Sequence, residues 1–249
     1  MNLVIQSKTE TITAWDIIPR LARYQMLPQL IKESIIDEAI KSIECTPEEI
    51  AGACQIFQHQ NQLYTAAQKQ AWADSHGMTP EDLVEVATRK LKIEKFKIER
   101  WGNAMKCYFL KRKAQLDKVS FSIIRITDKN LAQEIYFRVQ NQEQPFAELA
   151  RQYSEGAEAA AGGVVAPIEL EFLPPAIAQL LQNRQPSELL PPMTINGKVV
   201  IIKINSVIPA TLDVMTQQRL INEQFQAWLQ QQIKERGIAL NNLSFNSNN

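Results

Sequence analysis

The stretch Met193–Ile204, with the sequence MTINGKVVIIKI, carries the clearest fold signal in the chain. Two runs of mostly strand-forming residues flank the pair Asn196-Gly197. Asparagine and glycine tolerate the positive φ angles that a type I′ turn requires. The stretch therefore predicts a β-hairpin with its turn at Asn196-Gly197.

Upstream of this hairpin, the spacing of the apolar residues changes from helical to alternating. Residues 119–126, VSFSIIRI, alternate well enough for a strand. Helix starts follow at Asp128 and Pro145, and another short helix is predicted after Pro174. Residues 119–208 are thus predicted to form a strand, helices and two further strands.

The chain before residue 117 is predicted to be helical. Apolar residues recur at helical spacing from about residue 13 to 116, with a break near Gln25–Pro28. The motifs Thr46-Pro-Glu-Glu49 and Thr79-Pro-Glu-Asp82 each combine an N-cap threonine, a proline at the first helical position and an acid at the third. Each motif predicts the start of a helix.

Two long helices are predicted on either side of the mixed region. After Thr79 the apolar stripe continues to about residue 115. It fits a coiled coil or a strut packed against shorter helices, and the strut is favoured because only about four heptads are present. A last amphipathic helix is predicted from Asp213 to Gly237, followed by a polar tail at residues 238–249.

Residues 89–118 form a basic segment, with eleven lysines and arginines against three acidic residues. One interpretation is a basic face for an acidic partner, a nucleic acid or a membrane surface. The other is a solvated helix flank with charges paired at i and i+4. The second is favoured, because the whole chain has 27 basic and 27 acidic residues and no aromatic platform accompanies the lysines. No nucleic-acid partner is therefore expected.

Histidine and cysteine usage limits the possible chemistry. The chain has two histidines, His59 and His76, and three cysteines, Cys45, Cys54 and Cys107. The chain after His76 therefore cannot supply a His-based triad or most kinds of zinc site. An odd number of cysteines without C-x-x-C spacing argues against a disulfide framework or a zinc ribbon. We expect no metal site and no cofactor.

Length and hydropathy favour a two-unit protein without a membrane span. The 249 residues exceed a usual domain of about 100 to 150 residues. No apolar run reaches the ~20 residues that a membrane-spanning helix needs, and the N-terminal residues lack a basic start followed by an apolar core. A cytoplasmic location is expected, with export only if a leader had been removed from a longer precursor.

Five motifs in the second half occur in an order and spacing that match one family nearly without gaps. They are Phe146-Ala-Glu-Leu-Ala150, Tyr153-Ser154, Gly162-Gly163, Leu173-Pro-Pro and the Asn196-Gly197 turn. Over residues 119–208 the chain resembles the parvulin (rotamase) module of peptidyl-prolyl isomerases. Its layout, a helical segment before the module and one long helix after it, is similar to that of the SurA-like and PrsA-like foldases.

This resemblance implies an α+β fold with a parvulin-like antiparallel sheet of four strands surrounded by helices. It also implies an N-terminal all-helical domain that the C-terminal helix completes. The expected divisions are a helical chaperone-like domain at residues 1–116, a rotamase domain at 117–209, a C-terminal helix at 210–237 and a tail at 238–249.

The resemblance further implies an apolar socket for the substrate proline. Val165, Leu173 and Ile177 fall where the family places its proline-contacting side chains, and Ile123 and Phe172 are expected beside them. Family members complete the socket with a hydrogen-bonded floor made of two histidines, a cysteine or aspartate, and a threonine or serine.

Most of that polar floor is missing from this chain. The first histidine position corresponds to Ile123, or to Ser122 if the strand shifts by one residue, and the second to Val199 or Val200. Gly156 stands at the cysteine or aspartate position. The polar residues that remain are the candidate catalytic residues, namely Thr194 at the family threonine position, Ser154 and Glu155.

Two functions follow from the resemblance. The first is a peptidyl-prolyl cis-trans isomerase and foldase acting on X-Pro bonds of unfolded polypeptides, with activity weakened by the loss of the histidines. The second is a catalytically silent parvulin-like chaperone or polypeptide-binding module that assists folding or export. In both, the expected partner is an unfolded or extended polypeptide that contains proline. The sequence indicates no oligomeric state.

Overall fold

The computed structural model describes residues 4–6, 11–79 and 81–236. The chain packs into two compact units. The first consists of the described residues up to Met105 together with those from Gln218 onward, and the second is Lys106–Gln217. The domain boundaries expected from the sequence, at 116/117 and 209/210, differ from these limits and stay predictions. The expected tail at 238–249 and the helix end at Gly237 lie outside the described residues.

The first unit is mainly helical. A short antiparallel pair that the sequence did not predict comes first, and five helices follow it. In chain order the elements are β1 (Val4–Gln6), β2 (Thr11–Thr13), α1 (Ala14–Arg23), α2 (Leu27–Ile40), α3 (Pro47–Gln60), α4 (Ala66–Ser75) and α5 (Asp82–Trp101).

The second unit contains the sheet. Its elements are α6 (Met105–Leu116), β3 (Lys118–Ile126), α7 (Lys129–Gln140), α8 (Phe146–Tyr153), β4 (Val164–Glu169), α9 (Pro175–Leu181), β5 (Leu189–Ile195) and β6 (Lys198–Ile208). The last helix, α10 (Val214–Glu235), begins in the second unit and continues into the first. Among the helices within the described ranges, none is both long and apolar enough to cross a membrane.

The reciprocal hydrogen bonds expected at Thr46 and at Thr79 both form, although α5 begins only at Asp82. The Thr46 amide donates to the Glu49 carboxylate at 2.9 Å, and the Glu49 amide donates to Thr46 Oγ1 at 3.3 Å. Thr79 and Asp82 make the same reciprocal pair, at 2.7 and 3.4 Å, directly before α5. These bonds satisfy amides that have no partner inside a helix.

The single helix predicted from Thr79 to about residue 115 is wrong as one element. A 3-10 turn at Gly102–Ala104 separates α5 from α6. Glycine has the poorest helix propensity of any residue except proline, and the interruption coincides with Gly102. The helical spacing of apolar residues continues through this turn, and that spacing therefore did not predict the interruption.

The core of the first unit joins α2 to the C-terminal helix. Ile35, Ile36 and Ile40 of α2 are buried together with Phe225 and Leu229 of α10. The buried side chain of Lys97 in α5 also reaches α10, where its Nζ donates to Asn222 Oδ1 at 2.9 Å. The N-terminal helices and α10 therefore share one core.

The predicted α+β class with a four-stranded antiparallel sheet is confirmed. The strand order is β4-β3-β6-β5, with every neighbouring pair antiparallel. Residue spacing alone had predicted three strands, and β4 came only from the resemblance. Both edge strands contain prolines, at Pro167 in β4 and at Pro191-Pro192 in β5, where the register with β6 shifts.

The sheet is buried on both faces. One face carries Phe121, Ile123, Val200 and Ile202 and packs against α9; we call it the socket face. The opposite face carries Ile124, Ile126, Val199 and Ile201 and packs against α7 and α8; we call it the helix face. Facing residues on antiparallel strands project to the same side, and accordingly Ile123 pairs with Ile202 whereas Ile124 pairs with Ile201.

The predicted hairpin turn is confirmed. Asn196 and Gly197 have φ angles of +51° and +81°, as a type I′ turn requires. A second glycine with positive φ, Gly163 at +79°, lies against β3, and the Ile123 amide donates to the Gly163 carbonyl at 2.9 Å. A Cβ atom at Gly163 would lie 2.6 Å from the Ile123 carbonyl oxygen, whereas one at Gly197 would meet nothing within 4 Å.

The loop after α8 is fixed to the end of β3 by Ser154 and Glu155. Ser154 Oγ accepts from the Arg125 amide at 3.1 Å. The Glu155 carboxylate accepts from the Thr127 amide at 2.9 Å and the Thr127 hydroxyl at 2.8 Å, and it pairs with Lys198 Nζ at 2.9 Å. Lys198 first, and then the two Thr127 donors, lower the pKa of Glu155 from its ordinary 4.5 to about 2.

Ion pairs occupy much of the basic segment at residues 89–118. They involve Arg89, Lys95, Lys97, Arg112, Lys113 and Lys118. Lys95 pairs with Glu49 at 2.6 Å, and Lys113 pairs with Asp117 one turn away at 2.9 Å. Among these pairs, Lys113–Asp117 has the expected spacing of i and i+4. Arg89, Lys95 and Arg112 instead pair with acids between 46 and 59 positions away, and Lys97 is buried. The basic side chains are thus paired as expected, but mostly with distant parts of the chain rather than along a solvated flank.

The first prediction compares the two glycines. Gly197→Ala should lower the free energy of unfolding by about 1 kcal/mol, because it forces alanine into positive φ without a clash. Gly163→Ala should lower it by at least about 1 kcal/mol more, because the new methyl group also meets the Ile123 carbonyl. Urea denaturation of both variants measures the difference. Equal losses would show that the close approach of Gly163 to β3 has no energetic weight.

The second prediction concerns Glu155. Its lowered pKa means that the ionised carboxylate stabilises the folded state above pH 4.5 and that this contribution is lost as the pH falls toward about 2. Lys198→Met should move the pKa of Glu155 back toward 4.5, measured by carboxyl NMR titration of the full chain. Lys203→Met, on the same strand, is the matched control. A shift of equal size in both variants would argue against the Lys198 pair.

Candidate functional site

The candidate site lies on the socket face. Four of the five predicted apolar residues, Val165, Leu173, Ile177 and Ile123, join one cluster there. Two elements bring them together: β4 places Val165 opposite Phe121 of β3, and α9 carries Ile177 over the centre of the sheet. These four residues thus lie together in the folded sheet, and their role in binding a substrate stays a prediction.

The five predicted residues differ in accessibility. Ile123 is fully buried and Ile177 is 3% exposed, so both belong to the core beneath any binding surface. Val165 and Leu173 are half-buried at the edge of this core, and Phe172 is 66% exposed. Among the predicted residues packed against the socket-face cluster, Val165 and Leu173 are thus the accessible ones, whereas Phe172 does not join the cluster.

The register shows which of the alternative residues for the two histidine positions lie on the socket face. Arg125 pairs with Val200, and Ile123 and Val200 both project into the socket-face cluster. Val199 belongs to the helix face, and Ser122 lies on that side by strand alternation. On the socket face, the two positions therefore hold Ile123 and Val200, and both side chains are apolar.

The three polar residues predicted as catalytic do not belong to the apolar cluster on the socket face. Thr194 pairs with Val199, which places its exposed side chain on the helix-face side of the sheet. Ser154 and Glu155 make the bonds to Arg125 and Thr127 that anchor the loop after α8. The structure thus separates Thr194 from the apolar cluster and gives the other two a local structural contact. Their catalytic roles stay predictions.

Sequence reasoning missed a charged pair on the socket face. Arg125 follows Ile123 by two residues on β3, and its Nε donates to Glu158 Oε1 at 2.6 Å. Glu158 lies in the 3-10 turn Ala157–Ala161. The sequence feature that could have revealed it is an arginine in an otherwise apolar strand, two residues after Ile123 and therefore on the same face. Its partner is 33 residues away and had no local signature.

Glu158 fills the space beside the glycine that replaces a polar family residue. A Cβ atom at Gly156 would lie 2.2 Å from Glu158 Oε1. The carboxylate of Glu158 therefore stands where a side chain at position 156 would begin. An acidic group thus occupies the space next to position 156, and it belongs to Glu158, two residues later in the chain.

The Arg125–Glu158 pair is partly shielded from water. The side chain of Glu158 is 15% exposed and that of Arg125 is 34% exposed. Only Nε of the guanidinium is used in this pair, and among the described residues its two terminal nitrogens have no hydrogen-bond partner. Donors that remain exposed at an apolar face can bond to a ligand carbonyl or a carboxylate.

A groove in the same unit runs between α6 and α9. It has a volume of about 410 Å³, and Leu173 forms part of its wall. Small apolar residues alternate with amides along it, including Ala114, Gln115, Ala178, Gln179 and Gln182. Amide side chains can donate to and accept from a peptide backbone, and the groove is therefore suited to an extended chain.

Metal ligands and thiols are not grouped in the part of the chain that the structure describes. No cluster of three or more His, Cys, Asp or Glu side chains occurs among these residues. The His76 ring stacks on Trp72 with centroids 3.8 Å apart, and His59 contacts the edge of Tyr64. The three cysteines are free thiols.

Comparison with known proteins points to one domain family. Residues 125–206 match the family model described as Rotamase, the PPIC-type PPIase domain. The match covers about a third of the chain and starts at Arg125, so that Ile123 lies outside it. No curated protein sequence matches the chain.

Several solved structures are similar. The peptidylprolyl isomerase PrsA from Bacillus cereus is 19% identical, with 93% of this chain and 84% of that chain covered and a TM-score of 0.46. The foldase protein PrsA from Streptococcus pneumoniae is 15% identical, with 99% and 97% covered and a TM-score of 0.41. The parvulin domain of PpiD from E. coli is 19% identical, with 40% and 97% covered and a TM-score of 0.34.

The family match agrees with the four-stranded antiparallel sheet and with the apolar cluster on its socket face. Residues 125–206 are therefore similar to the PPIC-type rotamase domain, the parvulin type of peptidyl-prolyl isomerase domain.

Proposed function

We propose that the second unit binds proline-containing segments of extended or unfolded polypeptides on the socket face and isomerises their X-Pro bonds at a reduced rate. The observation that supports this most is the position of Val165, Leu173 and Ile177 in one cluster within the domain matched by the rotamase family model. These are the three residues that the resemblance assigned to the proline socket.

An apolar socket can promote isomerisation by binding geometry. Rotation about a peptide bond faces a barrier of ~18 to 20 kcal/mol because amide resonance is lost. A proline ring held against apolar side chains removes the bond from water and restricts the motion of the flanking segments. Neither effect needs a metal or a proton donor.

The reduced rate follows from the residues under the socket. Ile123 and Val200 stand on the socket face where two imidazoles are expected, and Gly156 stands at the cysteine or aspartate position. An apolar floor cannot offer hydrogen bonds to the twisted amide, and that part of the transition-state stabilisation is lost.

The groove between α6 and α9 extends the proposed binding surface. Leu173 belongs both to the wall of this groove and to the residues packed against the socket-face cluster. A polypeptide with its proline at the socket could continue along Gln179 and Gln182, whose amides can pair with its backbone. This supports an extended polypeptide as the partner.

A second candidate function is a catalytically silent polypeptide-binding module that assists folding or export. Two observations favour it: the predicted catalytic side chains are engaged elsewhere or lie on the other side of the sheet, and the first unit exposes large apolar residues. Trp15, Ile18, Tyr24, Met26 and Leu30 are all exposed on or between α1 and α2. Exposed apolar residues of this density suit the binding of unfolded chains.

Exchange NMR on a short Xaa-Pro peptide separates the two functions. The full chain should increase the cis-trans exchange rate in proportion to its concentration, because the socket lowers the barrier. An unchanged rate at high protein concentration, together with suppressed aggregation of an unfolded client, would support the silent module and contradict the isomerase.

Adjacent valines on β4 test the location of the socket. Val165→Asp should weaken peptide binding at least about tenfold, because it places a charge in an apolar contact surface. Val164→Asp is the matched control, since Val164 pairs with Ser122 on the other side of the sheet and is already exposed. Chemical-shift titration of both variants, each checked for native dispersion, gives the affinities. Equal weakening would place the binding surface elsewhere.

A further inference from the structure

We propose that Arg125, held in position by Glu158, is the hydrogen-bond donor that acts on the X-Pro amide at the socket face. The inference rests on the proposed isomerase function and adds to it a residue that neither the family motifs nor the predicted site included. Arg125 would donate to the proline nitrogen in the twisted transition state.

Arg125 stands at the polar end of an apolar row. Phe121, Ile123 and Arg125 alternate along β3 on the same side of the sheet, and Arg125 pairs with Val200 of the socket face. Residues two apart on a strand are about 7 Å apart, so the guanidinium extends from a point one side chain beyond the buried Ile123. Phe121 pairs with Val165, so Arg125 lies four residues along β3 from that pair and two residues from Ile123, on the face that carries the proposed socket.

Glu158 anchors the arginine at one of its nitrogens. Its Oε1 accepts from Nε at 2.6 Å, and its side chain is largely shielded from water, which strengthens the pair. Gly156 leaves room for this arrangement, because a Cβ at that position would overlap the Glu158 carboxyl group unless the carboxyl group shifted. The glycine that replaces a polar family residue thus makes room for a different polar pair.

The arrangement leaves the useful donors available. Nε is bound by Glu158, while the terminal nitrogens of Arg125 have no hydrogen-bond partner among the described residues. About a third of the Arg125 side chain is exposed, at 34%, so a bound polypeptide can reach it. A planar guanidinium fixed at one corner presents its remaining N–H groups in a defined direction.

A donor at the proline nitrogen acts on the transition state selectively. In the planar amide, resonance delocalises the nitrogen lone pair, and the nitrogen is a poor acceptor. When the bond is twisted, the lone pair localises on nitrogen and can accept a hydrogen bond. An interaction made only in the transition state raises kcat without tightening the binding of the ground state. No covalent bond forms or breaks.

The test compares exchange NMR rates with peptide affinities for the full chain. Arg125→Met removes the donors and keeps an unbranched side chain. It should lower kcat at least tenfold while the Kd of the same peptide changes less than twofold. Arg138→Met is the matched control, because Arg138 pairs with Glu134 on α7, which covers the helix face; its kcat and Kd should both stay at the wild-type values.

Glu158 is tested as a positioning residue. Glu158→Gln keeps the shape of the side chain and weakens its hold on Arg125, and kcat should fall by an intermediate factor. The double variant Arg125→Met/Glu158→Gln should be no slower than Arg125→Met alone, because Glu158 acts through Arg125. It also removes the unpaired carboxylate that the single arginine variant leaves, and so keeps the comparison valid if that variant folds poorly.

The outcomes distinguish this inference from the proposed function. If the wild-type chain accelerates exchange and a folded Arg125→Met variant does so equally, the assignment of Arg125 is overturned and the isomerase function stands. If kcat/KM falls only because the Kd rises, Arg125 is a binding contact and the transition-state role is overturned. If the wild-type chain does not accelerate exchange, the proposed function fails and this inference fails with it.

Discussion

The pairing of β3 with β6 is the constraint on which the second unit depends. Nine residues of β3 pair with β6, and side chains of both strands are buried on the socket face and on the helix face. A shift of one residue would exchange the two faces and move Arg125 into the core under α7 and α8. The site therefore exists only in this register. The Asn196-Gly197 turn connects β5 to β6 and helps to set the register of that neighbouring pair.

The missing polar floor has a structural as well as a chemical meaning. Ile123 and Val200 bury their side chains without unsatisfied hydrogen bonds, whereas imidazoles in the same places would need partners. The exchange adds apolar packing beneath the socket face and removes groups that could act on a substrate. The charged groups described on this face are Arg125 and Glu158, at one end of the row of Phe121, Ile123 and Arg125. The two side chains form an ion pair that uses one nitrogen of the guanidinium.

The features that the sequence predicted well are those encoded locally. The turn at Asn196-Gly197 and the caps at Thr46 and Thr79 each depend on neighbouring residues, and all three formed as expected. The fourth strand was not evident from spacing, because β4 contains a proline and obtains its partners from a strand more than 40 residues away. The Arg125–Glu158 pair escaped notice for the same reason, since only the folded sheet brings its members together.

The prolines in the two edge strands have a consequence for how a client chain can be held. A peptide can bind to a sheet by adding a strand at an open edge, and unfolded polypeptides readily do so. Pro167 in β4 and Pro191-Pro192 in β5 offer no amide hydrogens, so neither edge can continue a regular ladder. The prolines therefore hinder the addition of a further strand at either edge. An unfolded polypeptide is then less able to extend the sheet and aggregate with the protein.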